Sequence, residues 1–276
     1  MGKSHLAAGA LFTAAFVPPV SAAIGLGLSP LDMCAGVGIG TIAGMLPDID
    51  HPESLITQGV IPGTRKLGAV GKAIGWYLSI PPRIVGVGAR ATMNHRGGTH
   101  SALFMVLWSL LAAPLYALTA AIIGVGLSTV LSLLSPLIFH PLFHHNIGFT
   151  PSSVVHWFIH NTPEAFPLIA LCVFFGYLAH LVTDSMTIVP VPWPWPFSKR
   201  RLWVLPKPLR IRTDGITEHH IIRPIIIILA VLAFMFNIGI PLINGAMHAG
   251  AAAIHTQAPT INAPSLSSVV SHLRKH

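Results

Sequence analysis

Along the chain, long uncharged stretches alternate with short polar loops. Residues 4–31, 33–47, 97–163, 165–183 and 224–273 contain no Asp, Glu, Lys or Arg. A helix needs roughly 20 apolar residues to cross a bilayer. The pattern predicts an all-α polytopic transmembrane helical bundle of about five spans, near 6–28, 31–47, 101–123, 165–187 and 221–243. Pro18-Pro19 should kink the first span, which is read as an uncleaved helix rather than a secretory signal. The second is short, and its Gly36, Gly38, Gly40 and Gly44 fit close helix packing. The segment 124–143 is open: interrupted by Gly124 and Gly126 and ending in Pro136 and Pro141, it reads as a sixth span, a re-entrant piece or an interfacial helix. Residues 1–243 form the expected membrane-embedded domain, and 244–276 a poorly ordered tail.

Composition narrows the class. Of 276 residues 53% are hydrophobic and 9% charged, with mean hydropathy +0.70. Soluble domains carry about 25% charged residues, so a soluble single-core protein is excluded, and two cysteines, Cys34 and Cys172, exclude a disulfide scaffold. The net charge of +8 sits in loops between apolar spans, so anionic lipid is the expected partner and nucleic acid is not. The loops 48–96 and 188–220 each hold six Lys or Arg and 144–163 holds none. The positive-inside rule places the first two in the cytoplasm and the third outside, so 124–143 should not make a full extra crossing.

Charge also selects the candidate chemistry. There are only eight acids, against 16 histidines. Acids beside apolar spans are costly, and imidazole is the commonest metal ligand. Four clusters stand out: His5; Asp48, Asp50 and His51 within Pro47–Pro52; His95 and His100 around Gly97-Gly98; and His180 with Asp184. On the expected topology all four lie at cytoplasmic span ends. His180 and Asp184 are four residues apart and share a helix face. Asp48, Asp50 and His51 fall where a Pro-flanked helix end can wrap an ion, and the Gly-Gly turn lets backbone approach a ligand. Thr99 and Ser101 are candidate helix caps. Mixed His and carboxylate ligands favour zinc, manganese or iron over magnesium or calcium. The candidate metal ligands are therefore His5, Asp48, Asp50, His51, His95, His100, His180 and Asp184, enough for one or two ions. Arg96 would stabilise an anionic transition state, and Glu53 is a candidate general base.

The remaining features carry weaker signals. His140, His144, His145, His156 and His160 lie towards the opposite face with only Glu164 nearby and read as surface histidines. Asp214 and Glu218 follow Arg210 and Arg212 and read as ion-paired. Trp193, Trp195 and Trp203, between prolines and beside Lys199-Arg200-Arg201, read as an interfacial anchor. Ser101 lacks a G-x-S-x-G context.

Taken together, His5, Leu46–His51, His95–Ser101 and Gly176–His180 through Asp184 and Thr187 resemble the YdjM-like family of bacterial inner-membrane proteins, over roughly residues 1–240. That resemblance implies a LexA-regulated, SOS-response membrane protein predicted to be a metal-dependent hydrolase. A more distant likeness, carried by a His-x3-Asp pair like His180 and Asp184, is to the zinc-dependent phospholipase C and P1-type nuclease group, which tilts the expected substrate towards phosphate esters. The expected function is a membrane-bound metal-dependent hydrolase, acting on a phospholipid or another phosphoester at the cytoplasmic membrane face. The alternative is a non-enzymatic metal-binding membrane protein or transporter.

Overall fold

The computed structural model describes residues 2–51, 53–59, 68–92, 97–134, 150–213 and 215–257. Its helices are α1 (Gly2–Ala23), α2 (Pro30–Ala43), α3 (Gly68–Thr92), α4 (Ala102–Leu134), α5 (Pro151–Ser185), α6 (Arg223–Phe234) and α7 (Ile240–Gln257). Single 3-10 turns at Leu46–Asp50 and Gly98–His100 precede α3 and α4, and π turns flank α6 at Glu218–Ile222 and Met235–Gly239. Among the described residues there is no strand, only isolated bridges pairing Thr187 with Ile211 and Val191 with Leu202. Four stretches are long and apolar enough to cross a membrane: Gly2–Ala23, Ala102–Val130, Pro151–Ser185 and Glu218–His248. The chain is an all-α polytopic membrane protein.

The helices that build the core pack backbone against backbone. On α1 the buried stripe runs His5, Gly9, Thr13, Val17 and Ser21 at strict four-residue spacing. It lies on α2, where Gly40 leaves no room for a side chain: an added Cβ would sit 1.8 Å from Thr13 Oγ1. From the other side, a Cβ on Gly176 of α5 would fall 2.2 Å from the Gly40 carbonyl oxygen, and one on Gly9 would fall 2.5 Å from the same atom. A Cβ on Gly44 would reach the His5 carbonyl oxygen at 2.5 Å. Small residues spaced by four let helices approach this closely in lipid, where the hydrophobic effect offers little between apolar faces.

Several elements differ from the sequence expectation. The second span is shorter than 31–47. Helix α2 stops at Ala43 because Gly44 and Pro47 break into the 3-10 turn, and its 14 residues span only about 21 Å. It starts from a capping box in which Ser29 Oγ accepts the Asp32 N–H and Asp32 accepts the Ser29 N–H; this accounts for Asp32. The open segment resolves as helix as far as it is described: 124–134 continues α4 without a break. Gly124 serves packing rather than interruption, since a Cβ there would meet Val154 Cγ1 at 2.7 Å. Likewise 151–163, read as loop, forms the first turns of α5. Helices α4 and α5 are thus about 50 Å long, well beyond the roughly 30 Å hydrocarbon core. The last helix also passes residue 243, ending at Gln257.

The basic loop 48–96 contains the 25-residue α3. Its inner face buries Gly71, Gly75, Ser79, Pro82, Gly86 and Ala89, while Val70, Ile74, Trp76, Ile84 and Val87 stand out beside Lys72 and Arg83. This suits a helix lying in the membrane interface. Arg83 Nε donates to the Thr57 carbonyl at 2.6 Å. Trp193 is more than an anchor. Its carbonyl accepts the first amide of α4, from Ala102, and its indole N–H donates to Ser185 at the end of α5.

The main core comprises Ala43, Leu46, Ile49, Trp108, Val173, Tyr177 and Leu181 with their neighbours, at the end of the bundle where α1 and α4 begin and α2 and α5 finish. Gly40→Leu or Gly176→Leu is expected to destabilise the chain by about 3 kcal/mol or more through overpacking. Gly38→Ala, which has nothing within 4 Å, should be neutral or stabilising by up to about 1 kcal/mol. Thermal unfolding of the detergent-solubilised variants measures both.

Candidate functional site

Four chain segments meet at that end of the bundle. His5 comes from the first turn of α1, Asp48 from the 3-10 turn after α2, His100 from the 3-10 turn before α4, and His180 and Asp184 from the last turns of α5. His5 Nε2 lies 3.4 Å from Asp184 Oδ1. His100 Nε2 lies 3.5 Å from Asp48 Oδ1 and 3.6 Å from Asp184 Oδ2. His180 Nε2 is 3.7 Å from each of the same two oxygens. The His5 and His180 rings stack with centroids 3.8 Å apart. Two donor triads, His5–Asp48–His180 and His100–His180–Asp184, each fall within 4.8 Å.

Hydrogen bonds fix which ring nitrogen of each histidine faces this centre. His180 Nδ1 lies 2.7 Å from the Gly44 carbonyl oxygen. A carbonyl only accepts, so Nδ1 carries the proton. His100 Nδ1 lies 3.1 Å from Thr99 Oγ1, whose own proton goes to Asp50; the hydroxyl therefore accepts from His100. His5 Nδ1 lies 2.9 Å from Thr183 Oγ1, whose proton goes to the Ala179 and His180 carbonyls. In each neutral imidazole the Nε2 lone pair is thus left pointing at the carboxylates. Three lone pairs and two anionic groups, almost wholly buried, repel one another unless positive charge lies between them.

The geometry fits a divalent transition-metal ion. Donors held at about 2.0–2.2 Å from a tetrahedral zinc lie about 3.4 Å from each other, close to the separations seen here. Partners fixing the second nitrogen of a ligating histidine are the usual companions of such sites. Asp48 is the most open donor, 27% exposed against 2% or less for the others. Burial raises its carboxyl; without an ion, only the protonated forms of His180, His100 and His5 would outweigh this and hold it below the usual carboxylate range.

Of the eight expected ligands, five converge: His5, Asp48, His100, His180 and Asp184. Asp50 and His51 are not in the converging set. Buried Asp50 accepts from Thr99, one step behind His100, and His51 Nδ1 accepts the Glu53 N–H. Glu53 is exposed and also outside that set. His95 and Arg96 lie outside the described residues, as do His140, His144, His145 and Asp214. His156 and His160 stack on the exposed surface of α5. Ser101 caps α4 through the Phe104 N–H, whereas Thr99 serves the site.

Supporting residues escaped the sequence reading. Thr183, three residues after His180, orients His5. Tyr177, fully buried, donates to the Thr99 carbonyl. Ser4 donates to the buried Glu218 at 2.6 Å and accepts from Arg223, tying α6 to the turn that carries His5. Thr183 is the one with a signal in the sequence, since it lies inside the stretch from His180 to Asp184.

A family model described as YdjM inner membrane protein matches residues 1–249. The chain belongs to that family. No curated protein and no solved structure matches it. The matched range takes in all five converging donors and every helix through α6.

Thr99→Val removes the link between Asp50 and His100 without changing side-chain volume. Divalent-metal affinity should fall 10–100-fold, as read by chelator competition, with Thr99→Ser restoring most of it.

Proposed function

We propose that this chain is a membrane-bound metal-dependent hydrolase acting on a phosphate ester, with a phospholipid as the favoured substrate. The observation that carries the reading is the set of three histidines whose protons are committed to Gly44, Thr99 and Thr183, so that their Nε2 atoms and the carboxylates of Asp48 and Asp184 form two donor triads that share His180. His5, Asp48, His100, His180 and Asp184 would hold one or two ions, zinc by preference with manganese or iron as alternatives. When bound, such an ion supplies Lewis acidity and lowers the pKa of water.

The chain's own groups then have separate tasks. Asp184, His5, His100 and His180 are buried and rigidly partnered, which keeps bulk water away from the centre. Asp48, the most open of the five, is the donor that substrate meets first. Arg96, four residues before His100, is assigned to neutralising phosphoryl oxygens. The basic loops 48–96 and 188–220 begin at Asp48 and just after Asp184 in the chain, and the positive-inside rule assigns both loops to the cytoplasmic face. A transporter would place its ligands near the middle of the bilayer, whereas these stand at helix ends.

Elemental analysis of the purified full-length chain should find divalent metal, lost by more than about tenfold in His180→Ala and Asp184→Asn, each of which removes a buried ligand. Mass spectrometry of liposome lipids should then show a product with the wild type and none with the variants. Metal-free wild-type protein, or metal flux in proteoliposomes with every phospholipid intact, would overturn the assignment.

A further inference from the structure

A partly enclosed cavity of about 190 Å³ lies between α2, α3, α4 and α5, on the membrane side of the donor cluster. Its wall is shared with the site. Leu46 lines it two residues before Asp48, and Ala43 lines it next to Gly44, whose carbonyl fixes His180. Val173 lines it on α5, seven residues or about 10 Å along the helix from His180. The two tyrosines in its wall contribute no polar group. Tyr77 donates its hydroxyl to the Tyr116 carbonyl and Tyr116 donates to the Leu78 carbonyl. A water molecule inside would have no partners, and apolar cavities of this kind stay dry; one of about 150 Å³ holds a benzene molecule.

We propose that this cavity seats part of one acyl chain of the lipid whose phosphate lies at the donor cluster. The inference rests on the hydrolase reading and adds where the substrate's apolar part goes. Three observations select an alkyl chain over other occupants. The volume takes a chain segment but no helix. The lining offers nothing for a polar ligand. The cavity's wall continues along the chain into the segments that carry Asp48 and His180, so a chain seated there belongs to a lipid whose headgroup reaches the donors.

The test uses the full chain in proteoliposomes containing phosphatidylglycerol with a diazirine in mid-chain. After illumination, Ile39 and Tyr116 should be labelled saturably, and unlabelled phosphatidylglycerol should compete. Ala113→Phe fills the space and should cut labelling at those two positions about tenfold, while bilayer-facing Leu107 is labelled as before and metal content is unchanged. Ile169→Phe should do the same and serves if Ala113→Phe fails to fold. Labelling of Ile39 and Tyr116 that is non-saturable, or unaltered in both variants, overturns the proposal. The metal measurement is separate: a chain that labels saturably yet holds no metal retains the chain seat and sinks the hydrolase reading.

Discussion

The structure depends on three helices touching through their backbones. Gly9 on α1, Gly40 on α2 and Gly176 on α5 meet with no side chain between them. Within a bilayer, contact this close is what holds helices together, because lipid tails are as apolar as leucine. It also sets distances elsewhere. With α1 seated on α2, His5 stands one turn from Gly9, and Gly44 stands one turn from Gly40. With α5 seated on Gly40, His180 lies one turn beyond Gly176. The imidazoles and the carbonyl that fix the site therefore inherit their positions from a contact one helical turn deeper.

A bare gathering of imidazoles and carboxylates is electrostatically unfavourable in a low-dielectric interior. The chain accepts it by committing each histidine's Nδ1 proton to a neighbouring acceptor: Gly44, Thr99 or Thr183. Asp50 acts through Thr99, and Glu218 braces the turn of His5 through Ser4. Such groups behind the histidines hold the rings in place and decide the tautomer, and so decide which nitrogen faces the carboxylates.

The helical class and the approximate spans could be read from the uncharged runs. So could the four clusters, since acids are few enough that each near a span stands out. What the sequence could not convey came from contacts without periodicity. Asp50 looks as good a ligand as Asp48, and only the turn geometry turns it towards Thr99. Gly124 looks like a helix breaker because glycine lowers helix propensity, and its packing role needs Val154 to be seen. Helix α3 was hidden because its basic residues made the whole segment read as loop.

Helix lengths differ around the molecule. Beside α4 and α5 the bundle is taller than the hydrocarbon slab, while α2 reaches about two thirds of the way through it. At the short end, the reciprocal Ser29 and Asp32 bonds leave those amides satisfied without water. Lipids beside α2 must shorten or lean to meet it, and those on the opposite flank must stretch or let the helices tilt. The protein therefore imposes an uneven thickness on the surrounding membrane, with the thinnest patch next to the helix that leads into Asp48.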